Sequence, residues 1–405
     1  MSTRTTIPEG YFSAVRADYS ARSLNTALDA GTITADDKAL IMEFTNERQA
    51  SANISQSRVN KLTSMLVGWR RFVGEFRTLS IVDVYAGVDI LKKGNSEKGR
   101  PFKQNTISDL VTILKQFVLW MIEEGYSKIP EKKIARIKTP PKEMVTKKAS
   151  DLLTTDEITL IMKACERSGD RAMILLLYEG GFRIGEIATL TWGDIQFVGD
   201  GVSIGVLFKT KYYRHIRVVM AAEYLKVWKA DYPLEPTSDA LVFLNGVKKP
   251  FIHSTISKRI QRIVLRAGIT RHVTPHIFRH SRITHLIKEG MQESAIKMMM
   301  WGQPDTTMWK TYVHMTGQDI DTEVARMYGI VDKKDADTDP GIRPRQCKHC
   351  SSINPPLAFT CYTCGEPLDS TGALKLEEVA RFIVEHGSEL QEYIAAFVSK
   401  PPSPA

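Results

Sequence analysis

Residues 274–286 read TPHIFRHSRITHL, which places three histidines and two arginines in thirteen positions. Ile277, Phe278, Ile283 and Leu286 are threaded between them. A segment that must pack in a core therefore also carries several cations, and basic side chains are costly to bury without partners. A helix that holds an anion at its buried edge resolves the conflict. His276 and Arg279 are three apart and share one face of such a helix. Upstream, Arg183 follows the pair Gly180-Gly181 and precedes Glu186 by one turn. The glycines leave room for a bulky anion to approach the guanidinium, and Glu186 can hold its fork. Two arginines brought together repel unless an anion sits between them, and arginine matches phosphate with paired hydrogen bonds. Downstream, Tyr312 lies between Thr311 and Val313, with His314 two residues on. A phenol has an ordinary pKa near ~10. Beside two arginines its phenolate is stabilised and could attack phosphorus. Taken singly, each arginine reads better as a surface ion pair and the tyrosine as a packing residue near a helix end. The combination points to phosphate chemistry.

A second cluster is made of sulfur. Cys347, Cys350, Cys361 and Cys364 form C-x2-C, ten residues, then C-x2-C. Each knuckle can aim two thiolates at one centre, and two knuckles complete a tetrahedron around zinc. So short a segment cannot bury enough apolar surface to fold alone, and metal binding would supply the folding free energy. Two disulfides or free thiols are the competing readings. Four thiolates saturate a zinc ion, so the metal would be structural, with no open position for catalysis. Cys165 stands alone in a helix and reads as a small core residue.

The elements that position these groups follow from periodicity. In residues 57–76, Val59, Leu62, Leu66, Trp69, Val73 and Phe76 recur at helical spacing. In residues 104–126, Ile107, Leu110, Val111, Leu114, Phe117, Val118 and Met121 do the same, with Asn105 or Thr106 as cap and Gly125 as stop. A helical domain over 24–128 follows. Residues 129–150 carry Lys128's neighbours Lys132, Lys133, Arg136, Lys138, Lys142, Lys147 and Lys148 against Glu131 and Glu143, with Pro130, Pro140 and Pro141. This predicts an extended basic linker that touches phosphates. Thr154 and Glu157 form a capping box, and two helices meet at Gly180-Gly181. Residues 201–220 alternate and predict a hairpin turning near 211–214. Helices resume from His253 to Ile330. A second domain over 151–330 is thus mixed, mainly helical with a small sheet. A linker over 331–345, a zinc ribbon over 346–368 and a helix over 372–398 complete the chain. The fold class expected is mainly α with a small β-sheet (α+β).

Composition is ordinary for a globular protein, 43% hydrophobic and 25% charged. No run approaches the ~20 apolar residues of a membrane span, and the start lacks the apolar core of a secretory signal. A cytoplasmic location is the expectation. The net charge of +9 leans modestly toward a polyanionic partner.

Taken together, GGFRIGEIATLTWGDI, TPHIFRHSRITHLIKEG and TTMWKTYVHM resemble the tyrosine recombinase (phage integrase-like) family, over roughly 152–330. Its signatures G-x-R-x-x-E, H-x-x-R-H and a tyrosine followed by x-H occur here in order. The helical domain would be that family's core-binding domain. The resemblance implies that Arg183 and Arg279 bind a scissile DNA phosphate and that His276 hydrogen-bonds it and assists proton transfer. Tyr312 would be the nucleophile, and Glu186 and His280 would support the site. Lys209 would protonate the leaving 5′ oxygen, with Lys211 competing because the motif is K-T-K. The family places Gly-His or Gly-Trp about ten residues before the tyrosine. Here Trp301-Gly302 stands eleven residues before Tyr312, so Trp301 would fill that role, with Gln303 as the alternative donor. The implied enzyme exchanges DNA strands through a 3′-phosphotyrosine without metal or nucleotide, as a tetramer on paired duplexes. Among its members, the W-G variant with a ribbon looks more like archaeal ones. A type IB topoisomerase-like relaxase and a non-catalytic zinc-ribbon regulator are the rival readings.

Overall fold

The computed structural model describes residues 18–95, 99–143, 149–207, 213–309, 312 and 342–398. They fall in two compact units, one within 13–146 and one from 147 onward. No helix among the described residues is long and apolar enough to cross a membrane.

The first unit is built from α1 (Tyr19–Asp29), α2 (Ala35–Ala52), α3 (Gln56–Trp69), α4 (Ile81–Lys93), α5 (Gln104–Glu123) and α6 (Glu131–Ala135). Thr34 with Asp37 and Ser80 with Asp83 form reciprocal capping boxes that start α2 and α4. Phe44, Trp69, Phe76, Phe117 and Trp120 fill the core, and the Trp69 indole donates to the Leu110 carbonyl at 2.9 Å. The apolar repeat over 57–76 is buried as expected, but the helix ends at Trp69. The Arg70 guanidinium folds back onto the Val73 carbonyl and the buried Asp37, and Asp37 also accepts from the Phe76 N–H. Phe76 therefore reaches the core from a short 3-10 turn rather than from the helix.

The expected tether is corrected over residues 129–143, its first two thirds. Residues 129–143 belong to the helical unit: Ile134 and Ile137 are buried in its core, and the Lys115 ammonium donates to the carbonyls of Ala135 and Ile137. Asn105, expected to cap α5, lies one residue inside it and ties down Glu143 through both backbone groups. Apolar residues at 134 and 137 override a composition that reads as solvated.

The second unit is mainly helical around a small antiparallel sheet. Its helices are α7 (Thr155–Lys163), α8 (Ser168–Glu179), α9 (Ile184–Ala188), α10 (Ala222–Ala230), α11 (His253–Arg266), α12 (Pro275–Lys288) and α13 (Glu293–Trp301). The strands β1 (Ile195–Val198), β2 (Gly201–Leu207) and β3 (Tyr213–Val218) pair in sequence order. Ile204 faces Ile216 and Val202 faces Val218, so one sheet face enters a core with Leu175, Leu176, Phe182 and Phe278. The turn of this hairpin, with Lys209 and Lys211, lies outside the described residues. Glu179, at the end of α8, is buried and accepts three backbone N–H groups from Val219, Met220 and Ala221 at 2.6–2.9 Å. It fixes the passage from β3 to α10, and burial raises its pKa despite those bonds. Ser281 accepts from the Leu153 N–H at 2.8 Å, so α12 anchors the start of the unit.

The last part holds a two-stranded ladder, β4 (Arg345–Gln346) with β5 (Ile353–Asn354), and a long helix, α14 (Ser370–Val398). Ile342 and Leu357 pack into the core of the second unit.

Candidate active site

The site begins at the Gly180-Gly181 break. Gly181 has φ +56°, and a Cβ there would stand 2.5 Å from the Met300 sulfur. Only glycine fits both the backbone and the approach of α13. The chain then turns into α9, with Arg183 as its N-cap residue. Glu186, 1% exposed, accepts from the Arg183 backbone N–H at 2.7 Å and from its guanidinium at 2.8 Å. The same carboxylate accepts from the Arg214 guanidinium.

Arg214 is a site residue that the sequence reading missed. It is 2% exposed, and its other nitrogen donates to the carbonyls of Met299 and Met300 at 2.7 and 2.8 Å. The signal was present: in β3, positions 214, 216 and 218 face inward, so the alternation that makes Ile216 and Val218 core residues also buries an arginine. Burial lowers its pKa, partly offset by Glu186.

Arg279 projects from α12 into the same place. It is 5% exposed and donates to the Gly181 and Met300 carbonyls. Burial first, then Arg183 and Arg214, pull its pKa down to about 9, and Glu186 opposes them. It remains charged at neutral pH. Two guanidiniums thus share one carboxylate and a third, Arg279, stands close enough to feel all three charges, and the surplus of positive charge is what an anion would neutralise.

His276 sits in the first turn of α12, behind Pro275, at the rim of the pocket, with one side of its ring reaching solvent and the rest covered. Partial burial, then the Arg279 and Arg183 charges, lower its pKa, so it is neutral at pH 7. Trp301 closes α13, and Gly302 ends the helix with φ +73°. Its ring lies 5.4 Å from the Arg279 guanidinium carbon and 6.0 Å from the Tyr312 ring. Tyr312 is 2% exposed, with the half-buried His280 ring 5.2 Å away. The expectation that the arginines make this phenol more acidic is corrected. Burial outweighs Arg279 and Arg183 and pushes it up to about 12. Of the residues singled out in the sequence, Arg183, Glu186, His276, Arg279, His280, Trp301 and Tyr312 are therefore brought together. Lys209, Lys211 and His314 lie outside the described residues.

The sulfur cluster forms a separate centre. The thiols of Cys347, Cys350, Cys361 and Cys364 all lie within 4.8 Å of one another. Cys347 is 3.6 Å from Cys364, and Cys350 is 3.5 Å from Cys361. A tetrahedron with Zn–S near ~2.3 Å has edges of about 3.8 Å, so the donor set and its spacing fit a metal. The separations exceed a disulfide bond, which is about 2.05 Å.

Comparison with known proteins finds likenesses of sequence and of fold. Residues 151–319 match the model of the phage integrase family. A tyrosine recombinase of Thermosipho africanus is 29% identical over 240 residues, covering 58% of this chain and 81% of that protein. Transposase A of transposon Tn554 from Staphylococcus aureus is 30% identical over 194 residues, 44% of this chain and 53% of that protein's length. Tyrosine recombinase XerD of Staphylococcus saprophyticus is 24% identical over 275 residues, 64% of this chain and 90% of that protein. Among solved structures, lambda integrase bound to DNA superposes with a TM-score of 0.53 at 19% identity, over 70% of this chain and 98% of that one. The XerH recombinase bound to its difH substrate gives 0.51 at 14% identity, over 77% and 96%. These two likenesses are likenesses of fold.

Proposed function

We propose that the chain, whose residues 151–319 match the phage integrase family model and which is similar to tyrosine recombinases, is a site-specific recombinase that cuts and rejoins double-stranded DNA through a 3′-phosphotyrosyl intermediate. The observation that carries this reading is the gathering of Arg183, Arg214 and Arg279 around one buried carboxylate, Glu186, which pairs with the first two while Arg279 donates to backbone carbonyls, beside a buried phenol.

In this reading a backbone phosphate enters the positive pocket and is gripped by Arg183 and Arg279. Arg214 spends its donors on Glu186 and the end of α13, so it positions the pocket rather than the phosphate. His276, neutral at pH 7, takes the Tyr312 proton as the phenol oxygen bonds to phosphorus. The P–O5′ bond breaks, and the departing oxygen receives a proton from Lys209, or from Lys211 if that is the residue at the turn. The guanidiniums meet the charge that develops on the five-coordinate phosphorus. Trp301 offers its indole N–H to the same phosphate, and His280 packs the nucleophile's ring. A 5′-hydroxyl from a second duplex then reverses the steps, so no nucleotide or metal takes part. Strand exchange between duplexes would be performed by a tetramer on paired sites. The four cysteines would hold one structural zinc, and a DNA substrate of this kind would place the enzyme in the cytoplasm.

A nicked suicide substrate, which releases a short strand on cleavage, tests the assignment. The wild-type chain is expected to give a covalent protein–DNA adduct on a denaturing gel, and Tyr312→Phe to give none while still binding the duplex. An adduct that survives the substitution moves the nucleophile elsewhere. Relaxation of plasmid lacking any defined site would point instead to a topoisomerase-like relaxase.

A further inference from the structure

The long C-terminal helix α14 carries an apolar seam that the rest of the described molecule leaves uncovered. Leu376, Val379, Ile383, His386 and Leu390 recur at alternating three- and four-residue steps, and Tyr393 and Phe397 continue the series in sequence. This is a heptad pattern, with Phe382 and Ile394 widening the stripe. Leu376 is 39% exposed, and Val379, Phe382 and Ile383 are each 53% exposed. The base of the helix is fixed. Asp369 accepts from the Gly372 N–H at 2.7 Å and pairs with Arg345 at 2.5 Å, and the Lys375 ammonium lies 3.4 Å from the Phe359 ring centre. The helix thus leaves the cysteine-rich lobe in a set direction.

We propose that α14 is a self-association surface, and that it joins two copies of this chain as antiparallel partners without DNA. Charge identifies the occupant. The first half of the helix holds Lys375 and Arg381 against Glu377 and Glu378, and the second half holds Glu385, Glu389 and Glu392 with no lysine or arginine. A helix with this acidic excess repels nucleic acid and anionic membranes. Parallel pairing would set the two acidic halves side by side, whereas antiparallel pairing sets each against a balanced half. The area agrees. The six described apolar side chains of this stripe in each copy, Leu376, Val379, Phe382, Ile383, Leu390 and Ile394, losing roughly 75–100 Å² each, remove roughly 900–1,200 Å² in total, which reaches the lower bound of a specific interface. The helix bends at His386, where φ is −117° and ψ is 16°, and the Cβ position of the neighbouring Gly387 is open. An antiparallel pair brings both bends to its two-fold axis, where glycine lets the backbones come close. This surface goes beyond the recombinase reading and stands without it.

Light scattering on the full-length, metal-loaded chain tests the surface. The wild type is expected at twice the chain mass of 45.6 kDa, and Val379→Asp/Ile383→Asp at the chain mass itself, with unchanged metal content and secondary structure by circular dichroism. A wild type that stays monomeric up to ~100 µM, weaker than an affinity of about −5.5 kcal/mol, overturns the proposal, as does a doubly substituted chain that still dimerises. Mixing wild type with Glu385→Lys/Glu389→Lys/Glu392→Lys tests orientation. Random exchange fits antiparallel pairing, and selective mixed dimers overturn it. Adduct formation on the nicked substrate by the Val379→Asp/Ile383→Asp chain reads the active site separately, so failure of one reading is distinct from failure of the other.

Discussion

At the scale of single residues, Glu186 decides whether the arginine cluster can exist. It is buried and answers Arg183 and Arg214 at once. Removing one partner of a buried ion pair strands the other charge. Glu186→Gln is therefore expected to lower stability by roughly 3–5 kcal/mol, read as a shifted denaturant midpoint, and to abolish adduct formation. Inorganic sulfate should partly restore the midpoint by supplying the missing negative charge. His276 gives a pH prediction. Burial and the neighbouring arginines disfavour its imidazolium, so the neutral, proton-accepting form persists below the ordinary pKa of ~6.5. Single-turnover cleavage should hold its rate at pH 6.5 and fall only at lower pH. An acid limb centred above pH 6.5 would contradict this environment. Tyr312 shows what the sequence did not convey. Its spacing after Trp301 was legible, but its burial among Trp301 and His280 is tertiary, and burial reverses the direction in which the arginines alone would move its pKa.

At the scale of elements, the helices were legible because their apolar faces repeat at helical spacing, and Leu62, Leu66, Leu110, Leu114 and Phe117 are buried as that spacing requires. What stayed hidden was anything decided by a partner elsewhere in the chain. The short helix α6 was masked by six basic residues, since nothing local says that Ile134 and Ile137 find a core. The end of α3 depends on Asp37, thirty-three residues upstream of Arg70. Gly181 is the element-scale test. Its left-handed backbone and the Met300 sulfur both oppose a side chain. Gly181→Ala is expected to cost about 1–3 kcal/mol and to move the carbonyl that receives Arg279, so adduct yield should fall more steeply than stability. Thermal melts beside cleavage assays separate the two effects.

At the scale of the whole molecule, the cysteine-rich lobe is wedded to the second unit through Ile342 and Leu357. Metal removal should therefore be felt beyond the lobe. Chelation, or Cys361→Ser, is expected to lower the melting transition of the second unit, and added zinc to restore it for the chelated wild type only. A transition indifferent to chelation would mean that the four thiols hold nothing. The proposed grip on a backbone phosphate predicts that affinity for duplex DNA weakens steeply with salt, and that the slope flattens for Arg183→Ala.

The seat of Ile342 also bears on how this enzyme can be handled. Anyone who trims the chain shortly after Tyr312 to obtain a smaller catalytic piece removes a plug from that piece's own interior. Such a fragment would show greasy surface to its neighbours and come out of solution for reasons unrelated to its chemistry.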